Sequence, residues 1–271
     1  MIERVATSVS RSLLSGLPES PHDGIVHSVF ARAVNLEWGC DGWVSLLEEP
    51  LPLNPWAVRL KNLPQLGRGN PCVISRRDIL FPHRAMRIDL EMCVPVDLGM
   101  RPETSVDPDF VRARCRPLMD LESRGQDTDP FRLRAREILD DVQLAKSGTR
   151  AAQHLFSLVG LGSGLTPAGD DFLAGFLAAS VFFGAAAVER DFLVGALSKN
   201  AGPRTTDVSR RMLLAACRCE FAEPVGRLLR SIVRPGNGVE ESARELLALG
   251  GSSGADTLAG ILFCVREFLK G

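Results

Sequence analysis

In the stretch MRIDLEMCV, Met86, Ile88, Leu90, Met92 and Val94 alternate with Arg87, Asp89 and Glu91. A period of two marks a half-buried strand, because successive side chains point to opposite faces of a sheet. Shorter runs of the same kind, FARAVNLEW, WVSLL, WAVRL and PCVIS, lie between Gly, Pro and Asn punctuation such as GCDG, PLPLNP and GRGNP. The pattern predicts a small antiparallel sheet or barrel with tight turns over residues 1–100.

From residue 101 to 130 the alternation gives way to mixed charge with Pro and Gly, in RPETSVDPDF and ESRGQDTDP, which reads as a partly helical connector. Beyond it the period becomes helical. Leu133, Ile138, Leu139, Val142 and Leu144 recur among charges in the stretch from Phe131 to Ala145, and further helices are predicted over 150–159, 167–188, 190–199, 206–221, 223–233, 239–249 and 255–269. The expected fold class is therefore α+β: a small β-rich domain (1–100), a connector (101–130) and a larger all-helical domain (131–271). Within the last, FLAGFLAASVFFGAAAV from Phe172 to Val188 is apolar on every side. Its Gly and Ala content, its short length and the flanking Asp170, Asp171, Glu189 and Asp191 point to a buried central helix and away from a membrane span.

Composition narrows the function classes. A length of 271 residues with 45% hydrophobic positions furnishes a sizeable core. The 32 basic and 33 acidic residues leave a net charge of -1, so no global field draws in nucleic acid or an anionic membrane, and any bound anion must be held locally. Seven scattered cysteines without CxxC spacing, beside four histidines, read as reduced thiols and not as a zinc site. The opening MIERVATSVSRSLLSG lacks the apolar core of a signal peptide, which leads to the expectation of a cytoplasmic protein.

An internal repeat carries the candidate chemistry. AGDDFLAGFL (Ala168 to Leu177) aligns without gaps to SGADTLAGIL (Ser253 to Leu262), matching Gly169 with Gly254, Asp171 with Asp256 and Gly175 with Gly260. Each copy follows a glycine-rich loop, GLGSG or LGGSSG, and so reads as a loop entering a helix N-terminus. Thr166 or Ser253 can cap such a helix, Pro167 suits its first turn, and Asp171 or Asp256 sits where the helix dipole favours negative charge. Gly175 and Gly260, one turn on, imply close helix-to-helix approach. Two such mouths side by side, with loop residues Gly162, Ser163, Gly164, Ser252, Ser253 and Gly254, would aim backbone N–H groups at one small anion. GLGSGLTPAGDD lacks the Lys-Ser/Thr ending of a Walker loop and follows a helix, so a nucleotide is not indicated.

Asp170, Asp171 and Asp256 are the candidate catalytic residues, able to accept hydrogen bonds from a substrate amide or to hold a hydrated Mg²⁺; each alone also fits a helix-start carboxylate bonded to backbone N–H. In GPRTTDVSRRM, Thr205 or Thr206 caps a helix, and the hydroxyls of Thr205, Thr206 and Ser209 join the candidate binding set, with Arg204 or Arg210 supplying charge. With no histidine base nearby, these hydroxyls read as binders and not nucleophiles. His22, His27, His83 and His154 read as structural or exposed.

GLGSGLTPAGDDFLAGFLAA, TTDVSRRMLLAA, the Glu223-Pro224 pair and GGSSGADTLAGIL together resemble the AllH family, and HSVFARAVNLE and PLPLNPWAVRL resemble the family's opening, so the likeness covers most of the chain. Ser163 stands where a proline is expected in that family. AllH is similar to the third subunit of an oxamate carbamoyltransferase of anaerobic allantoin (purine) degradation. The resemblance implies exchange between carbamoyl phosphate plus oxamate and oxalurate plus phosphate, beside two other subunits. A different acyl or carbamoyl transfer, or a non-catalytic anion-binding or scaffolding subunit, also fits the residues.

Overall fold

The computed structural model of the chain describes residues 2–122, 130–236 and 238–269. It divides into two compact units, one up to Leu98 and one from Gly99.

The first unit holds ten strands: β1 (Ile2–Val5), β2 (Ser8–Ser10), β3 (His22–Val29), β4 (Ala33–Trp38), β5 (Gly42–Glu48), β6 (Ala57–Leu60), β7 (Pro71–Ile74), β8 (Asp78–Phe81), β9 (Met86–Asp89) and β10 (Val94–Val96), with a short helix α1 (Arg11–Gly16). They form one sheet in the order β1-β9-β8-β7-β3-β4-β5-β6-β2-β10. The sheet returns on itself. β1 and β2 are one kinked stretch of chain that runs parallel to β9 and then β10, while β2 also pairs with β6. Inward-facing Val26, Leu36, Val44, Leu46, Val58, Ile74, Ile79, Phe81 and Ile88 fill the ring.

Besides the parallel β1–β9 and β2–β10 ladders, two details depart from the expected antiparallel sheet. The Pro-rich stretch read as a turn instead carries the chain back along the sheet, so that β6 lies parallel to β5. The long alternating run also ends early. Met86, Ile88 and Leu90 are buried as the period demands, but Met92 is 79% exposed and Val94 62%. The stretch between β9 and β10 holds two residues more than its partner between β1 and β2, and Glu91 N–H folds back onto Asp89 Oδ1 at 2.7 Å, which breaks the alternation.

The second unit contains α2 (Pro108–Glu122), α3 (Pro130–Ala145), α4 (Thr149–Phe156), α5 (Ala168–Phe182), α6 (Ala187–Asn200), α7 (Asp207–Cys217), α8 (Glu223–Val233), α9 (Val239–Leu247) and α10 (Ser253–Phe268). Part of the expected connector is thus helix α2, and residues 123–129 of it lie outside the described residues. Every residue of α5 from Gly169 to Phe182 is buried. Its neighbours are α6, α7, α8 and above all α10. The helix stops six residues short of the predicted 167–188, because Gly184 (φ +65°) and Ala186 (φ +50°) turn left-handed and start α6. Among the described residues no helix is long and apolar enough to cross a membrane. All seven cysteines are free thiols.

Candidate functional site

The sequence repeat is a spatial repeat with reciprocal contacts. A Cβ placed on Gly175 would stand 2.0 Å from the Thr257 carbonyl oxygen, and one on Gly260 would stand 1.9 Å from the Phe172 carbonyl oxygen. Phe172 and Thr257 occupy the same place in the two copies, so α5 and α10 meet about a pseudo-two-fold axis at backbone contact. Gly169 and Gly254 are likewise matched: each lies against a carbonyl of the chain leading into its own helix, Leu158 and Leu246. Glycine at these points is a packing requirement, since any side chain would displace backbone.

This packing brings the two helix starts together. Thr166 Oγ1 and Ser253 Oγ are 2.9 Å apart. Neither hydroxyl caps its helix: Pro167 and Ser252 hold the N-cap positions without side-chain caps. The expected capping role is displaced because the two hydroxyls bond each other and the Asp171 carboxyl instead. Gly162, Ser163, Gly164 and Ser252 are exposed at the rim, Ser253 is half-buried, and Gly254 is buried.

The adjacent aspartates take different partners. Asp170, with no exposed surface, turns to α7: Oδ1 accepts from Gly160 N–H at 2.8 Å, and Oδ2 accepts from Ser209 Oγ at 2.6 Å and from the Thr205 hydroxyl. Thr206 caps α7, its Oγ1 accepting from Ser209 N–H at 3.1 Å while its hydroxyl donates to the Leu165 carbonyl. Thr205, Thr206 and Ser209 are therefore engaged in fastening α7 to the loop before α5. The Arg204 guanidinium lies over the Phe156 ring, 5.0 Å from its centroid. Gly160, a donor outside the candidate binding set, opens the GLGSG motif, and only its position in space identifies it.

Asp171 faces the other way, into the seam with α10. It is 3% exposed, and its Oδ2 is buried without a hydrogen-bond partner. Burial pushes its carboxyl up to about 7; hydrogen bonds from Ser253 and Thr166 oppose this, and the charges of Asp256 and Asp170 add to it. Asp256, half-buried at the start of α10, is its counterpart in the second copy. The structure so brings together Asp171, Asp256, Thr166 and Ser253, and assigns Asp170, Thr205 and Ser209 to an adjoining internal network. Among the described residues no group of three His, Cys, Asp or Glu side chains is arranged to hold a metal ion. Of the four histidines, His22 bonds the Ser20 carbonyl, His27 packs on Trp43, His83 follows β8, and His154 stands 3.7 Å from Asp141.

At neutral pH this seam can hold or release a proton at Asp171, and its carboxylates and hydroxyls can bond an amide. Two carboxylates side by side disfavour a phosphate at the same point. A family model described as oxamate carbamoyltransferase subunit AllH matches residues 158–265, which include both helix starts, and one described as the AllH family N-terminal domain matches residues 5–95. No solved structure matches the chain.

Proposed function

The chain belongs to the AllH family, and on that premise we propose that it works as a subunit of an oxamate carbamoyltransferase-type complex and binds the amide-bearing substrate at the paired starts of α5 and α10. In the reaction the amide nitrogen of oxamate attacks the carbamoyl carbon of carbamoyl phosphate. The new N–C bond forms, the bond from that carbon to the phosphate oxygen breaks, and the nitrogen loses a proton. Asp171 and Asp256 accept hydrogen bonds from the amide N–H groups, and the free N–H groups of the glycine loops meet the substrate carboxylate. Asp171, with its carboxyl near neutrality, is suited to receive the proton.

The observation that carries this reading is the unpartnered Asp171 Oδ2, buried at the seam where the two copies converge. A buried carboxylate oxygen without a donor costs about 1–3 kcal/mol, which an incoming amide would offset. The same depth of burial favours a second reading, an accessory subunit that binds the substrate without reacting with it.

Reconstitution with the partner subunits tests both. Phosphorolysis of oxalurate, followed with wild type, Asp171→Asn and Asp256→Asn, should be lost in both variants. The thermal stabilisation of the isolated chain by oxamate, RT ln(1 + [L]/Kd), should vanish with it. Stabilisation by oxamate that survives in both variants would remove the site from consideration. Turnover retained in variants that no longer bind oxamate alone would favour the accessory reading.

A further inference from the structure

The ring of strands is split beside Arg4. β2 stays paired with β6 through Ser8 and Val9, but β1 leaves to pair with β9, so the chain at Arg4–Ala6 diverges from Leu60–Asn62. The divergence opens a cavity of about 530 Å³ lined by Arg4, Val5, Thr7, Lys61, Asn62 and Met92 among others. Arg4 lies across the split: its Nη1 donates to the Asn62 carbonyl at 2.9 Å, while its Nε is buried without a partner. Lys61 is exposed at the rim and has no ion-pair partner among the described residues. Strand alternation adds a third donor. Ile2 and Ala6 give their N–H groups to the β9 side and Thr7 gives its own to Arg59 on the β6 side, which turns the Val5 N–H toward the cavity.

The lining contains no carboxylate. Neighbouring acids are engaged elsewhere, Glu3 with Arg87 at 3.4 Å, Glu48 with Arg32 at 3.7 Å and Glu91 with Arg77 at 3.6 Å. In a chain whose net charge is -1, a cleft with two cations, a backbone donor and no balancing acid is a local anion attractor. By contrast, the cavity beside Cys217 in the helical unit pairs its Arg190 with Asp191 at 3.5 Å.

We propose that the cleft at the strand divergence is a second binding site, for a small organic anion whose carboxylate or phosphate meets the Arg4 guanidinium, the Val5 N–H and Lys61 and whose apolar part rests on Val5 and Met92. Guanidinium pinned by Asn62 is oriented in advance, so little side-chain freedom is lost when the anion binds.

Met92 supplies the reporter, as one of only six methionines and 79% exposed. In methyl-¹³C-methionine spectra of the full chain, with the Met92 signal identified by Met92→Leu, inorganic phosphate and oxalate are titrated against chloride at matched ionic strength. The expected result is a saturable Met92 shift with phosphate or oxalate and none with chloride. Lys61→Gln should weaken the binding about tenfold, the loss of one charge-assisted contact. Arg4→Gln should abolish it, and Asp171→Asn should leave it unchanged, which separates this site from the helix starts. No saturable shift with either anion, a shift as strong in Lys61→Gln, or one lost in Asp171→Asn would each overturn the proposal. Should Arg4→Gln fail to fold, Lys61→Gln decides, because that side chain is exposed.

Discussion

Substituting Gly260 by Ala tests the contact on which the seam depends. In an open helical position this change stabilises a protein by up to about 1 kcal/mol, because alanine is the better helix former. Gly260 is not open: the new methyl would stand 1.9 Å from the Phe172 carbonyl oxygen and 2.9 Å from the Phe176 nitrogen. Ordinary carbon-to-oxygen contacts lie at about 3.3–3.6 Å, so α5 and α10 must part by more than about 1 Å along a fully buried interface. Overpacking against side chains costs about 1–3 kcal/mol; against a helix backbone that cannot rotate away, we expect the upper end of that range even after the gain in helix propensity. For a unit of this size, about 3 kcal/mol lowers Tm by about 6–12 °C. Gly195 in α6 is the internal control, since nothing lies within 4 Å of a Cβ built there. Calorimetry or urea unfolding should therefore give opposite signs for the same chemical change, Gly195→Ala neutral or stabilising and Gly260→Ala strongly destabilising. Gly175→Ala should resemble Gly260→Ala, and the double variant should cost less than the two added, because one separation of the helices accommodates both. A Gly260→Ala protein as stable as Gly195→Ala would refute the backbone contact and with it the convergence of the two helix starts.

Two further predictions follow from the aspartates. Asp171, held at about 7 by burial against an ordinary value of 3.8, binds its proton more tightly when folded, so its contribution is full below about pH 4 and is lost as pH rises through about 7; the difference is about 4 kcal/mol, and urea unfolding at pH 5 and pH 8 should show it shrinking markedly in Asp171→Asn. Asp170→Ala deprives the Gly160 N–H and the Thr205 and Ser209 hydroxyls of their acceptor inside the protein and should lower stability by about 3 kcal/mol or more in the same assay, whereas Asp171→Asn at pH 8 should leave it level or higher.

Helix α8 occupies Glu223–Val233, the span its apolar spacing and Glu-Pro start predict, and α3, α4 and α9 also lie close to theirs. Periodicity works there because one face of each helix is buried and the other wet. It fails at the end of α5, where apolar residues run on beyond the backbone turn at Gly184, since hydrophobicity records burial and not conformation. In the β-rich unit the runs around Ala33–Trp38 and Gly42–Glu48 are legible, but β8, only four residues long, is not. Parallel pairing of β5 with β6 is invisible locally, because strand direction depends on the path of the loop between them. The repeat identified Asp171 and Asp256 as partners from spacing alone. What spacing could not convey is that Asp170, next to Asp171, faces the opposite way: neighbouring residues at a helix start diverge by about 100°, and which of them meets α7 depends on packing.

The return of the sheet on itself has a kinetic meaning. Its closing ladders join residues 2–10 to residues 86–96, so the first-made part of the unit finds its last partners only when nearly the whole unit is available. Until then β1 has no β9 beside it and β6 has no β2. Ladders that close so long a loop form late and slowly, whereas the α8–α9 pair can meet as soon as its own short segment exists. During synthesis the N-terminal segment is therefore the aggregation-exposed part of the molecule, and this vulnerability ends when the strand at Val94–Val96 docks beside Ser8–Ser10.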